Sequence, residues 1–220
     1  MLEITDPAAV RAVLNDPAFV PPPVPPASTG IGWLRATVGR FAGGAVHARR
    51  RALQVAVLDG IPPAVLRDGP PAHPVATLAR AMGASDVPVD QVREVARAYQ
   101  PGTGDDTRAD VAVEALVRVF GGVHDEATAA RIGILVQACD ATATLIERAR
   151  ERAVGDVLRD DPPVPATKRQ AGPGAALDVE AGTVVRVRLA GDLAFGAGPR
   201  RCPGREHALA LVDAAAPRAT

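Results

Sequence analysis

The densest group of chemistry-bearing residues lies near the end of the chain, in LAFGAGPRRCPGREHALALV, Leu193 to Val212. Phe195, Gly198, Arg200, Cys202 and Gly204 stand there in the pattern F-x-x-G-x-R-x-C-x-G, just ahead of an alanine-rich helix. Two glycines free of Cβ let a backbone approach a flat ligand closely. Pro203 suits the first turn of the following helix, which puts Cys202 near that helix's N-cap. Unpaired N–H groups and the positive dipole end at such a position favour a thiolate over a thiol. Phe195 offers a ring to pack beside the ligand, and Arg200 a cation for its carboxylates. A thiolate presented this way is an axial ligand for haem iron. The competing reading is a buried structural cysteine in a glycine-rich loop.

The five fixed positions closely resemble the cysteine-ligand loop of the cytochrome P450 family, the haem-thiolate monooxygenases. The resemblance implies haem b (iron protoporphyrin IX) as cofactor, Cys202 as its proximal ligand, and Phe195, Gly198, Arg200 and Gly204 as its surroundings. Three upstream segments then fall in the family's order. GGAVHARRRALQV places His47 and Arg51 at i and i+4 on one helix face. It is similar to the family's H-x-x-x-R helix, which donates to haem propionates. A solvated basic helix is the alternative, and Arg49 and Arg50 suit it.

ACDAT, Ala138 to Thr142, is similar to A-G-x-[DE]-T, in which small residues leave room for dioxygen and the threonine steers protons. Leu135, Ala138, Cys139, Thr142 and Ile146 share a helix face, so Ala138, Cys139 and Thr142 are expected to line a distal pocket. Cys139 replaces the glycine and Ala141 the acid; Asp140 is adjacent but points about 100° away on an ideal helix. Thr142 bonding its own i−4 carbonyl is the competing reading. DVLRDDPPVPATKR resembles the family's E-x-x-R helix and proline-rich segment, with Asp156 standing where glutamate is expected and Arg159 matching. In the family that pair braces the cysteine loop through charge-assisted bonds; a solvated surface pair is the alternative. Arg169 matches a position that reaches a propionate.

These residues need elements to hold them. Asp6 caps a short helix with Pro7 at its first position and Val10, Val13 and Leu14 on one face. FVPPPVPPASTGIG reads as an extended connector. A helix is expected from about Trp33 to Leu58, with a break at Gly43–Gly44, then a loop from Asp59 to Pro74. Helical segments follow at Pro74–Met82, Val89–Tyr99 and Ala109–Phe120. The longest helical stretch runs from His124 to Arg159, and Ile132, Leu135, Val136, Cys139 and Ile146 mark it as central. ALDVEAGTVVRVRLA alternates with period two, as a short strand or hairpin does. The last helix begins near Pro203 and frays by Pro217. The fold class expected is mainly α with a small β hairpin, a truncated cytochrome P450-like fold.

Charge supplies little, since 25 basic residues balance 25 acidic ones, and no attraction to nucleic acid or a membrane surface follows. Two cysteines make no disulfide framework and suit a reducing compartment. The N-terminus has no secretory pattern and no run of about 18 consecutive apolar residues exists, so a cytoplasmic protein with no membrane span is expected.

The resemblance covers nearly the whole chain, as one compact domain over residues 1–220, at about half the family's usual length. Too few residues separate His47 from Ala138 for the full distal lid, VVRVRLA and GDLAFGAG leave no space for the meander, and no C-terminal hairpin follows the last helix. Such a haem site is open to water. The family reading therefore implies a monooxygenase or peroxygenase of bacterial secondary metabolism, supplied by a ferredoxin and reductase or by peroxide. A large or carrier-bound substrate, or a protein partner, would cover the haem. The alternative is a non-catalytic relative that stabilises or activates another enzyme; a haem-based sensor is a third reading.

Overall fold

The computed structural model describes residues 1–68 and 72–216. Pro217 lies outside these residues, as do three residues of the loop expected between Asp59 and Pro74.

Helix α1 spans Pro7–Asn15, with Asp6 accepting the Ala9 N–H at 2.8 Å and Val10, Val13 and Leu14 buried, as expected. The helix expected from Trp33 is two helices, α2 (Gly30–Thr37) and α3 (Gly44–Asp59), separated by a 3-10 turn at Gly39–Phe41. The break comes where Val38 and Gly43 take extended conformations. A short helix α4 (Pro63–Arg67) occupies part of the expected loop, because Pro63 suits a first helical position and Leu66 finds burial. Then come α5 (Pro74–Ala81), α6 (Val89–Ala98) and α7 (Asp106–Val119).

The long stretch from His124 divides into α8 (Glu126–Ala149) and α9 (Val154–Asp160). Helix α8 is the central one, packed by α2, α3, α5, α6 and α10 (Arg205–Ala215). Ile132, Leu135, Val136 and Cys139 enter the main core. By length and composition α8 could cross a bilayer, but these contacts bury much of it inside the fold.

Of the strand or hairpin expected within ALDVEAGTVVRVRLA, only β4 (Val184–Arg188) forms there; its antiparallel partner β3 (Ala166–Ala171) comes from the segment upstream, where no strand was expected, with Arg169 opposite Val185. Two short strands extend it to an order β1-β4-β3-β2: β1 (Leu2–Ile4) runs parallel to β4, and β2 (Phe19–Val20) antiparallel to β3. Strands this short carry too little alternation to be read from sequence. The sheet and α1 share a second apolar cluster including Val13, Phe19, Val185 and Val187. Period two puts Thr167, Arg169 and Ala171 on the buried side of β3, which is how a guanidinium comes to lie inside the protein.

One cap is supplied from a distance. Thr29 makes no side-chain cap for α2; instead Asp110 accepts the Ile31 N–H at 2.8 Å and Glu114 the Gly30 N–H at 3.1 Å, both from α7. Gly30 has φ +61°, and a Cβ there would lie 2.1 Å from Asp110 Oδ1. Gly30→Ala is expected to cost about 2–3 kcal/mol, combining left-handed strain with a lost cap. Urea unfolding measures it, and an unchanged midpoint would refute the arrangement.

Candidate functional site

After β4 the chain makes a 3-10 turn at Gly191–Leu193, passes Phe195, makes a second at Gly198–Arg200, and enters α10. Gly198 has φ +62°, and a Cβ there would meet the Leu14 carbonyl oxygen at 2.7 Å. That glycine is needed for the loop to rest on the end of α1, a requirement the sequence did not show. At Gly204 a Cβ would meet only Leu58 at 3.8 Å, so the space beside it is free. Phe195 packs against the cluster of Leu145, Val157 and Val212, with the Arg205 guanidinium 5.7 Å from its ring centroid. Its ring anchors the loop to α8, and its carbonyl accepts the Cys202 N–H at 2.8 Å.

Helix α10 begins at Arg205 with Gly204 in the N-cap position, so Cys202 precedes the cap instead of occupying it. Cys202 as a residue keeps surface open to solvent, while neighbouring chain crowds its sulfur. Desolvation by the chain crowding the thiol raises its pKa, outweighing the Gly204 N–H bond and the charges of Arg51 and Arg201. The expected thiolate preference is thus not achieved by the protein alone. Ligation of a metal would supply it, since thiols deprotonate on binding.

Beside this loop lies a cluster of basic side chains. Arg51 on α3 donates to the Arg201 carbonyl at 2.6 Å, and Arg200 donates to the Ala42 carbonyl. Arg169 donates to Thr167 Oγ1 and the Lys168 carbonyl, each at 2.8 Å. Burial and the charges of Arg40 and Arg200 push Arg169 down to about 9. Burial with Arg40 and Arg51 pushes Arg200 down to about 10. Burial also lowers Arg40, against the opposing effect of the Tyr99 phenol. His47 is pushed down to about 4 by burial, then by Arg200, Arg51 and Arg169.

These groups act on one another, so His47 and Arg200 lie close, as expected. Among the described residues no ion pair engages Arg40, Arg51, Arg169 or Arg200, whereas Arg49 and Arg50 both pair with Glu126, at 2.7 and 2.8 Å. Arg40 was invisible in the sequence because it lies outside every motif; only the turn after α2 brings it here. His47, Ala48, Arg51, Ala52 and Val55 of α3, with Pro199 of the cysteine loop, line an open recess of about 400 Å³. Basic groups thus stand around a partly apolar floor.

Neutral His47 is the form present at pH 7. Its contribution to stability is fully present above its ordinary value of 6.5 and is lost as pH falls through about 4. An NMR titration of the unliganded protein is expected to place its midpoint near about 4. A carboxylate seated against the cluster would favour the charged ring and raise that midpoint. An unliganded midpoint at 6.5 would contradict the packing of arginines around it.

On α8, Thr142 is buried, and Leu145, one turn onward, joins the cluster that holds Phe195. Cys139 does not line a pocket with it. It is fully buried in the core, where burial and then Asp140 push its thiol up to about 12. Ala138 is half-buried and packs against the same core. Asp140 is exposed, and its charge acts on Cys139 and on His73 at the head of α5. It therefore faces solvent on the α5 side, as the helix angle suggested, and is no stand-in for the missing acid. Asp156 and Arg159 form a solvated pair at 2.5 Å, joined by Asp160. Such a pair is worth under about 1 kcal/mol, and it does not brace the loop. Val157 of α9 does support it, through the Phe195 cluster.

The fold is that of the cytochromes P450, and many solved structures of that class match it. P450BioI in complex with acyl carrier protein ligated to hexadec-9Z-enoic acid superposes with a TM-score of 0.68 at 16% identity, over 96% of this chain and 82% of that one. CxnD, the cytochrome P450 enzyme for C–S bond formation in chuangxinmycin biosynthesis, gives 0.64 at 14% identity, over 97% and 78%. Ligand-free CYP164A2 of Mycobacterium smegmatis gives 0.58 at 16%, over 94% and 79%. No family model matches the sequence, and no curated protein matches it.

Proposed function

We propose that the chain is a haem-thiolate protein, one haem domain over residues 1–220, acting as a monooxygenase or peroxygenase of bacterial secondary metabolism. The observation that carries this reading is a set of mutually repelling cations beside Cys202 that have no ion-pair partner among the described residues. Among the described residues no carboxylate pairs with Arg40, Arg51, Arg169 or Arg200, and clustered cations are stabilised when an anion arrives. A porphyrin with two propionates supplies such anions, and the backbone at Gly204 is uncrowded beside the loop. The residues present fit haem b.

Cys202 would be its proximal ligand, and Arg40, Arg51, Arg169 and Arg200 would hold the propionates. His47 would offer a neutral N–H donor to them. When bound, the group supplies oxygen or peroxide activation under a thiolate ligand. Thr142 would contribute Oγ1 as a proton relay, unsupported by a neighbouring acid because Ala141 stands where one is expected. That absence makes peroxide as plausible a source of oxidant as a ferredoxin and reductase.

A site with the shortened distal segments would suit a large or carrier-bound substrate, in keeping with a neighbour that was solved with a loaded acyl carrier protein. The second reading is a non-catalytic partner that stabilises or activates another enzyme; it is favoured by Asp140 facing solvent away from Thr142. Haem titration of the purified protein tests the main reading. Saturation at one haem per chain is expected, and failure to saturate would sink it.

A further inference from the structure

His207 lies in the first turn of α10, on the face that also buries Ala210 and Leu211. Its ring is buried, with Nε2 3.0 Å from the Leu58 carbonyl and 2.9 Å from that of Ile61. Carbonyls only accept, so Nε2 carries the proton and donates to both. Nδ1 is buried without a partner. An apolar side chain would avoid that unsatisfied nitrogen, so the imidazole must be offset by what it holds. It holds the corner where α3 gives way to α4. Pro62 and Pro63 follow Ile61 and bring no N–H groups to that corner.

Helix α10 packs chiefly on α4 and α8, and α3 on α8 and the 3-10 turn before it. Side-chain bonds therefore set how α3 and the cysteine segment sit relative to each other. Arg200 reaches Ala42 just before α3, Arg51 reaches Arg201 from the middle of α3, and His207 reaches Leu58 and Ile61 at its end. The first two use members of the basic cluster, which a bound anion would draw away. His207 is not among the residues lining the recess.

We propose that His207 is a positioning residue that keeps Cys202 in register with His47 and Arg51. It takes over the bracing that the solvated Asp156–Arg159 pair does not provide. The inference rests on the haem reading for its purpose but not for its geometry. The test uses the full chain, comparing His207→Leu, His207→Gln and His207→Asn with the parent.

Glutamine places an amide N–H where Nε2 stands; asparagine is too short to reach. The rate of Cys202 alkylation by iodoacetamide is measured without haem, with Cys139 sheltered in the core. Loss of both bonds is expected to speed it about tenfold in the leucine variant, with glutamine within about twofold of the parent. On haem-loaded protein, leucine is expected to shift part of the reduced carbonyl Soret band from its thiolate position, and glutamine to restore it. If the leucine variant fails to fold, asparagine reacting faster than glutamine supports the proposal. Equal alkylation rates for every folded variant and the parent would overturn it. Failure of the parent to bind haem would sink the functional reading while leaving the alkylation result to decide this one.

Discussion

Replacing Cys202 with alanine is expected to abolish the red-shifted Soret band of the reduced carbonyl complex while leaving haem bound. The band reports electron donation from a thiolate to iron, and Cys139 cannot replace the lost ligand. That thiol is fully buried in the core, and its pKa is pushed up to about 12 by burial and then Asp140. The propionate contacts would survive, because Arg40, Arg51, Arg169 and Arg200 do not depend on the sulfur. Affinity is expected to fall about tenfold. A variant that keeps the band would show that the sulfur of Cys202 is not the ligand.

Arg169→Leu and Arg200→Leu together are expected to weaken haem binding about 100-fold, as the loss of two charge-assisted contacts does. The unliganded protein should respond in the opposite direction. Each guanidinium is pushed down by burial and by neighbouring cations, Arg40 first, so removing two relieves repulsion that no carboxylate among the described residues offsets, against the loss of the bonds to the Lys168 and Ala42 carbonyls. Arg169 sits on the buried side of β3 opposite Val185, where leucine is readily packed. The thermal midpoint without haem is therefore expected to hold or rise by a few degrees. Arg49→Leu is the control, because Arg49 is exposed and already paired with Glu126; haem affinity should stay within about twofold. A double variant that loses stability and keeps its affinity would show the cluster to be structural.

How far the sequence carried these conclusions varies from residue to residue. The cysteine loop and the α3 pair were legible because local spacing places each on a loop or a helix face, whereas Arg169 was reached only through the family resemblance, its strand being unexpected. Arg40 was not, since its position depends on how the turn after α2 meets β3. Gly198 was found, but its packing against Leu14 was not legible, because that neighbour is remote in sequence. Around Cys202 the motif shows the N–H donors and hides the chain that crowds the sulfur and pushes its pKa up. Asp156 and Arg159 carried the right spacing for a brace, yet exposure is set by how α9 seats on the turn at Gly191, which no spacing reports. His207 drew no attention beside the cysteine motif; a polar ring on an apolar helix face was the available signal.

The most direct test of the central claim is the absorbance spectrum of the purified protein, loaded with haem, reduced and exposed to carbon monoxide. A strongly red-shifted Soret band, at one haem per chain, is the predicted result. A band at the position of a neutral-ligand haem, or no uptake of haem at all, would contradict it.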